Sequence, residues 1–500
     1  MMAAAVLLVL LPVLANAWFP SAYPEYCSQN MDDRDIPPLS SAESDQVTEL
    51  KQVQVMIRHG ARTPYSYFSC WKDYDVTWNN CNVSELMLAS PSYTQEDRPS
   101  TWLFRKLYDG SPNALGGNCL TGQLLLKGYE QQTTNGEILY QAYLNSSLPL
   151  FASDIWDDLN EGYTMYLRSD DEQRTLMSGQ IMLHSMFNVS EETTVTWHTG
   201  DYNLDQIYPN SEVCPRLNTI SSTAFGSAQW LAENGSASID LLNVELDSLW
   251  GKGLWTWDNA LDCLMTTVCT DRQLPGGSGA VQMSDEIFNA AVAQVEYEYA
   301  YKSLYNNSLW AKTAVGNTAW HMRNNLQSML DGGPLKFALF SAHDTSVMPL
   351  LAALLGDAWD GKWASYAALV SFEVYSASSA SQVGVGGYYF RMIYNGKVVR
   401  LPDCSADLCP LDTLLETLSF GQQYMPCSVD SDSATTDGSC GSSAPLDTVN
   451  WVLLLLLSLS VGGLVGASAV VFYDKHQSRE EDDRGLMDVS MQSSTSGNNL

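Results

Sequence analysis

Arg58, His59 and Arg62 place two guanidinium groups and an imidazole within five positions of a 500-residue chain that holds 57 acidic and only 25 basic side chains, a formal charge of -32. A chain so acidic repels nucleic acid, so the cluster must be a local anion site. Arginine forks match the paired acceptor oxygens of a phosphate. Like charge on both sides should lower the pKa of His59 and keep a ring nitrogen free, and such an imidazole can take up a phosphoryl group and release it to water. The alternative is a structural histidine bonded to backbone. Arg174 falls in the first turn of an expected helix, where a cation opposes the macrodipole. It serves either an anion or a surface pair with Asp170 or Asp171. His343 is followed at once by Asp344, whose carboxyl group could protonate a departing alkoxide if it stays protonated at the working pH, which implies an acidic optimum. Asp344 also suits the cap of a helix starting near Thr345. His184, His198, His321 and His476 lack comparable company.

Three stretches share one pattern that would position these groups. VQVMI (53–57) alternates apolar residues and runs into Arg58-His59-Gly60. YTMYL (163–167) reads as a strand, followed by a capping box from Ser169 to Glu172 and a helix through TLMSGQIMLHSMF. LKFALF (335–340) is a third strand, followed by SAHDTSV and a helix through MPLLAALL. Strand, polar turn and helix in succession predict an α/β fold with a mostly parallel central sheet flanked by helices, and ligands gather outside the carboxyl ends of such strands. The intervals 66–118 and 199–310 are expected to build a second lobe over the sheet.

The chain ends suggest processing and anchorage. An apolar run from Ala3 to Leu14 before Ala15-Asn16-Ala17 reads as a signal peptide, residues 1–17, with an N-terminal anchor as the alternative. WVLLLLLSLSVGGLVGASAVVFY (451–473) is uncharged and long enough to be a single transmembrane helix. Lys475, Arg479 and Arg484 follow it, which assigns the tail 474–500 to the cytoplasm and an ectodomain, 18–427, to the lumenal or extracellular side. Residues 428–450, rich in Ser, Asp and Gly, read as a stalk. Gly462 and Gly466 are a candidate homodimer face. Eleven cysteines and sequons at Asn82, Asn145, Asn188, Asn234 and Asn306 fit an oxidising compartment with disulfides and glycans. The cysteine spacing does not read as a zinc site, and no metal is expected.

At RHGARTP (58–64) the chain resembles the histidine acid phosphatase family, whose motif R-H-G-x-R-x-P is met in full. SAHDTSV meets the family's HD motif, and RSDDEQRTLMSG its arginine before Thr-Leu. The resemblance spans about residues 50 to 425. It implies that His59 is the nucleophile of a phosphohistidine intermediate, that Arg58, Arg62, Arg174 and His343 hold phosphate oxygens, and that Asp344 is the general acid. It further implies a smaller, mainly helical lobe, no cofactor, and a phosphate monoester as substrate. GGNCLTGQLLLKGYEQ, WHTGDYNLDQIYPN and NGKVVRLPDCSADLCPLD are similar to the branch that includes lysophosphatidic acid phosphatase, whereas the signal peptide and anchor resemble the lysosomal branch. DDRGLM resembles an acidic dileucine signal, so lysosome or endosome and cell surface are both expected locations. The reading is a membrane-anchored acid phosphatase. Alternatives are an inactive receptor or adhesion protein on the same fold, a phytase, or a phosphatase specific for lysophosphatidate.

Overall fold

A computed structural model describes residues 25–422, except 29–30, 32, 66–69, 71–73, 75–76, 82–85, 90–102, 107–114, 157–158, 160, 189–194, 235–236, 254, 273, 275–282 and 380–386. The chain divides into a unit Met1–Asp430, which holds every described residue, and a unit Ser431–Leu500, which lies outside them.

The elements that build the site are strand β1 (Val47–Arg58), helix α1 (Leu126–Tyr143), strand β2 (Met165–Ser169) and helix α2 (Gln173–Met186). They are followed by helices α3 (Trp257–Cys269), α4 (Asp285–Ala314) and α5 (Gly316–Leu330), strand β3 (Phe337–Ala342) and helix α6 (Asp344–Leu355). Strands β4 (Leu369–Ala377), β5 (Tyr388–Tyr394), β6 (Lys397–Val399) and β7 (Cys409–Pro410) complete the set. Seven strands form one sheet in the order β6-β5-β4-β1-β3-β2, with β7 paired to β5.

The sheet is mixed, which corrects the expectation of a mostly parallel one. Only β1–β3 and β2–β3 pair in parallel, while β1–β4, β4–β5, β5–β6 and β5–β7 are antiparallel. The three strands that carry the polar motifs are joined through helices and can therefore run parallel. β5 turns back into β6 at Asn395-Gly396, both at positive φ (47° and 78°), and such a two-residue turn can only make an antiparallel pair.

Period-two alternation buries both faces of the sheet. Val53, Val55 and Ile57 of β1 pack with Leu139 and Tyr143 of α1 and Met182 of α2. Met56 faces the other way, with Phe340 of β3, Met322 and Leu326 of α5, and Leu350 of α6. β3 is buried along its whole length, as a central strand with helices on both sides must be.

Helices also fill much of the interval between α2 and β3, among them Arg216–Phe225, Ala237–Trp250, α3 and α4. α4 is broken at Asn306, Asn307 and Ser308, which take left-handed φ values of 50°, 58° and 57°. Two disulfides pin α3: Cys27–Cys269 and Cys70–Cys263. Cys81–Cys119 and Cys404–Cys409 are also bonded.

The membrane anchor is corrected as well. Among the described residues no helix is long and apolar enough to cross a membrane, and the stretch 451–473 that suggested one lies outside them. The single transmembrane helix, the membrane as partner and the single-pass localisation are accordingly withdrawn. The signal peptide (1–17), the stalk (428–450), the Gly462/Gly466 pair and the tail (474–500) also lie outside the described residues.

Candidate active site

Arg58 ends β1, and His59 leaves the sheet with its backbone still held: its N–H donates to Ala342 O at 2.9 Å, and its carbonyl accepts from Ala367 N at 3.1 Å. The next residue must be glycine. A Cβ at Gly60 would sit 2.4 Å from the carbonyl oxygen of Gly128, near the start of α1, so this loop and α1 approach backbone to backbone. β3 ends beside β1, with Arg58 opposite Ala342, and β2 ends beside β3, with Ser169 opposite Ser341. The carboxyl ends of three parallel strands thus deliver the three polar segments to one place.

A cavity of ≈ 410 Å³ is lined by all six chemistry-bearing residues singled out above: Arg58, His59, Arg62, Arg174, His343 and Asp344. His59 is buried, and its Nδ1 lies 2.8 Å from the carbonyl oxygen of Gly60. A carbonyl only accepts, so Nδ1 carries the proton and Nε2 keeps a lone pair. Burial first, then the charges of Arg174, Arg58, Arg62 and His343, hold the His59 pKa well below 6.5. The imidazole is neutral, as a nucleophile must be.

Each arginine is tethered by its own carboxylate. Arg58 Nη2 meets Asp344 Oδ2 at 2.7 Å, and Arg58 Nη1 donates to Ala364 O at 2.6 Å. Its guanidinium also lies 4.1 Å from the centroid of the Tyr366 ring. Arg62 Nη1 meets Asp262 Oδ1 at 2.7 Å, and Asp262 Oδ2 accepts from the backbone N–H of Tyr65 at 2.6 Å. Arg174 pairs with Glu172 and faces the Tyr65 ring at 5.2 Å. After these contacts the Nε–H groups of all three arginines remain buried without an acceptor. Three guanidinium groups lining one cavity suit an anionic ligand with several acceptor oxygens.

His343 caps α6 and is fixed from behind: Nε2 lies 2.7 Å from Asp170 Oδ2. Burial pushes Asp170 up, but the charge and hydrogen bond of His343 and a hydrogen bond from Thr175 outweigh it and hold the carboxyl below 3.8, so Nε2 is the donor. Asp344 accepts from Thr345 N at 2.7 Å and from Trp363 Nε1 at 2.9 Å. Burial pushes its pKa up, and Arg58 and Arg62 together with the Trp363 bond bring it below 3.8. The expected protonated Asp344 is therefore not the form of the free site. It is a carboxylate, and could act as an acid only after taking up a proton.

Several of these partners are silent in the sequence. Asp170 figured only as a surface partner for Arg174, yet it orients His343, while Arg174 pairs with Glu172. The anticipated capping box also differs, because Ser169 closes β2 and the cap of α2 is Glu172. Asp262 lies mid-helix, 200 positions from Arg62, with no local signal. Asp170, Glu172 and His343 have ligand atoms within 4.8 Å of one another and could hold a cation. Their inner oxygens and Nε2 are already committed to one another, to Thr175 and to Arg174.

His198 and His321 both stack on Tyr166, at 4.8 and 5.6 Å, and are absent from the cavity lining, as is the exposed His184. Asn145, Asn188 and Asn306 are exposed. Asn234 is half-buried and accepts from Gln294 at 3.2 Å, and Asn82 lies outside the described residues.

Residues 49–395 match the histidine phosphatase superfamily (branch 2), and the chain belongs to it. Counting factor 60 of Dictyostelium discoideum is 28% identical over 394 residues, covering 76% of this chain and 88% of that protein. Lysophosphatidic acid phosphatase type 6 of Bos taurus is 27% identical over 386 residues, covering 74% and 83%. The crystal structure of the phytase of Klebsiella sp ASR1 shares 14% identity at a TM-score of 0.47, covering 75% of this chain and 97% of that one.

Proposed function

We propose that the cavity hydrolyses phosphate monoesters in two steps through His59. The chain is an enzyme of acid phosphatase type: the family architecture and the cluster of His343, Asp170 and Glu172 fit hydrolysis through a phosphohistidine. The roles of individual residues follow from chemistry. Arg58, Arg62, Arg174 and His343 hold the phosphate oxygens. The Nε2 lone pair of His59 attacks phosphorus, the bond from phosphorus to the ester oxygen breaks, and Asp344 gives that oxygen a proton so that it leaves as an alcohol. Water then attacks phosphorus and gives a proton to Asp344. The bond from phosphorus to Nε2 breaks, and inorganic phosphate departs.

The proton on Asp344 has a natural source. A phosphate monoester has its second pKa near ~6, so at mildly acidic pH it enters as a monoanion carrying one proton. Its oxygens compete with Asp344 for the Arg58 guanidinium, and a carboxylate that loses part of its counter-charge becomes basic enough to take that proton.

The observation that carries this reading is the neutral, Nδ1-protonated His59 lining one cavity with three arginines. The purified full chain should hydrolyse phenyl phosphate near pH 5, and His59→Ala should lose that activity. Unchanged turnover in His59→Ala would remove the proposed nucleophile. Binding of phosphate without turnover from pH 4 to 7 would instead favour the receptor reading.

A further inference from the structure

The rest of the cavity wall says what is attached to the phosphate. Three guanidinium groups face three carboxylates, Asp344, Asp262 and Glu172, so the phosphate end is close to electrically balanced before substrate arrives. Beyond it, the only further cation among the described lining residues is Lys302. Its ammonium lies over two aromatic faces, 4.4 Å from the centroid of Tyr299 and 4.8 Å from that of Trp310. Leu261, Met265, Trp310 and Trp363 add apolar wall, while Asn259 and Thr266 add neutral polar groups.

The mouth continues the theme. Tyr65 and Tyr202 line the cavity and are 39% and 40% exposed, and Leu204, in the same short turn as Tyr202, is 67% exposed. Tyr202 stacks on Tyr208 at 5.7 Å, and Tyr208 meets the His343 ring edge-on at 5.8 Å. An aromatic track therefore runs from the surface to a phosphate-holding histidine. At ≈ 410 Å³ the cavity falls in the ~300–1,000 Å³ range of pockets that bury whole small molecules.

We infer that the enzyme selects phosphate monoesters whose leaving group is apolar, and discriminates against polyphosphorylated polyols. The inference rests on the phosphatase reading above. Among the described lining residues a second phosphate would find no further arginine to receive it; it would meet the carboxylates that tether the first site's arginines and would approach a chain of formal charge -32. An apolar group would leave water against tryptophan, tyrosine, leucine and methionine.

The test compares kcat/KM of the full chain at pH 5 for ethyl, butyl and hexyl phosphate, which share one leaving-group basicity, and for phenyl and 2-naphthyl phosphate. Glycerol 1-phosphate and myo-inositol hexakisphosphate are the polar references. A buried methylene is worth roughly fourfold. Hexyl phosphate should therefore exceed ethyl phosphate by roughly 15- to 200-fold, depending on whether half or all of the four added methylenes are buried. Ethylphosphonate and hexylphosphonate, as competitive inhibitors, should show the same ratio with no chemistry involved. A rise in the naphthyl arm alone assigns the apolar group to an aromatic ring, and a rise in the alkyl arm alone assigns it to a flexible chain. Equal kcat/KM in both arms, or preference for the hexakisphosphate, would overturn the inference and leave the phosphatase reading standing. No turnover of any ester would remove both.

Discussion

Replacing Asp344 by asparagine separates its two duties, because the variant is nearly isosteric but carries no exchangeable acid. In the parent the carboxylate accepts from Arg58, Trp363 and Thr345 at 2.7, 2.9 and 2.7 Å. Asparagine offers one oxygen acceptor and turns an NH₂ group towards one of these donors, so Arg58 loses its counter-charge. Loss of a positioned acid costs ~10²–10⁴ in rate, about 2.7–5.5 kcal/mol of barrier, but only where the leaving group needs a proton. An alkoxide needs one and a nitrophenolate does not. The assay is kcat/KM for ethyl phosphate and for 4-nitrophenyl phosphate, which reports the step up to phosphohistidine formation, with inhibition by inorganic phosphate as the measure of an intact pocket. Asp344→Asn should lower ethyl phosphate turnover by ~10²–10⁴ and 4-nitrophenyl phosphate turnover at least tenfold less. Equal losses on both esters, with phosphate inhibition unchanged, would show that Asp344 acts by structure alone.

Two further tests use groups that the structure brought to light. Asp262→Asn strips the mostly buried Arg62 of its carboxylate, a loss of ~3–5 kcal/mol when one partner of a buried pair is removed. Its Tm should drop, and saturating inorganic phosphate should raise it by more than it raises the parent's, because the dianion replaces the missing charge; an equal shift in both proteins would refute this. The pH profile of kcat/KM should fall as pH rises through ~6, where the substrate loses the proton that Asp344 needs. It should not fall on the acid side until well below 6.5, since His59 stays neutral there. A profile flat to pH 8 would contradict delivery of the proton by the substrate. The fold tolerates this range: a depressed carboxyl pKa contributes stability above 3.8 that is lost only as pH falls through the lower folded value, so the Arg58–Asp344 pair persists at the working pH.

The sequence reveals most where chemistry and backbone coincide. Arg58, His59, Gly60 and Arg62 are contiguous, and the alternation before them marks the strand that carries them. His343 and Asp344 are legible for the same reason. The partners that set their protonation and aim are not: Asp262 reaches Arg62 across 200 positions and Trp363 reaches Asp344 from the loop after α6. Nothing in a mid-helix aspartate announces a distant arginine. Arg174 sits between cases, since its awkward place at the start of α2 showed in the helix pattern, but its partner Glu172 read as a capping residue. The strand directions are only half legible, because the polar motifs mark the three strands that run parallel and leave the antiparallel ones without a motif of their own. The Asn395-Gly396 turn, a direct signal of antiparallel pairing, opens the stretch NGKVVRLPDCSADLCPLD and carries none of the candidate catalytic residues.

The most direct measurement is the fate of phosphorus in a single turnover. The full chain, mixed with a phosphorus-labelled aryl phosphate near pH 5 and quenched in alkali within milliseconds, where phosphohistidine survives, should yield one labelled peptide with the phosphoryl group on His59 Nε2. The label should vanish in His59→Ala. Label on another residue, or full turnover with no labelled protein at any time, would contradict the mechanism.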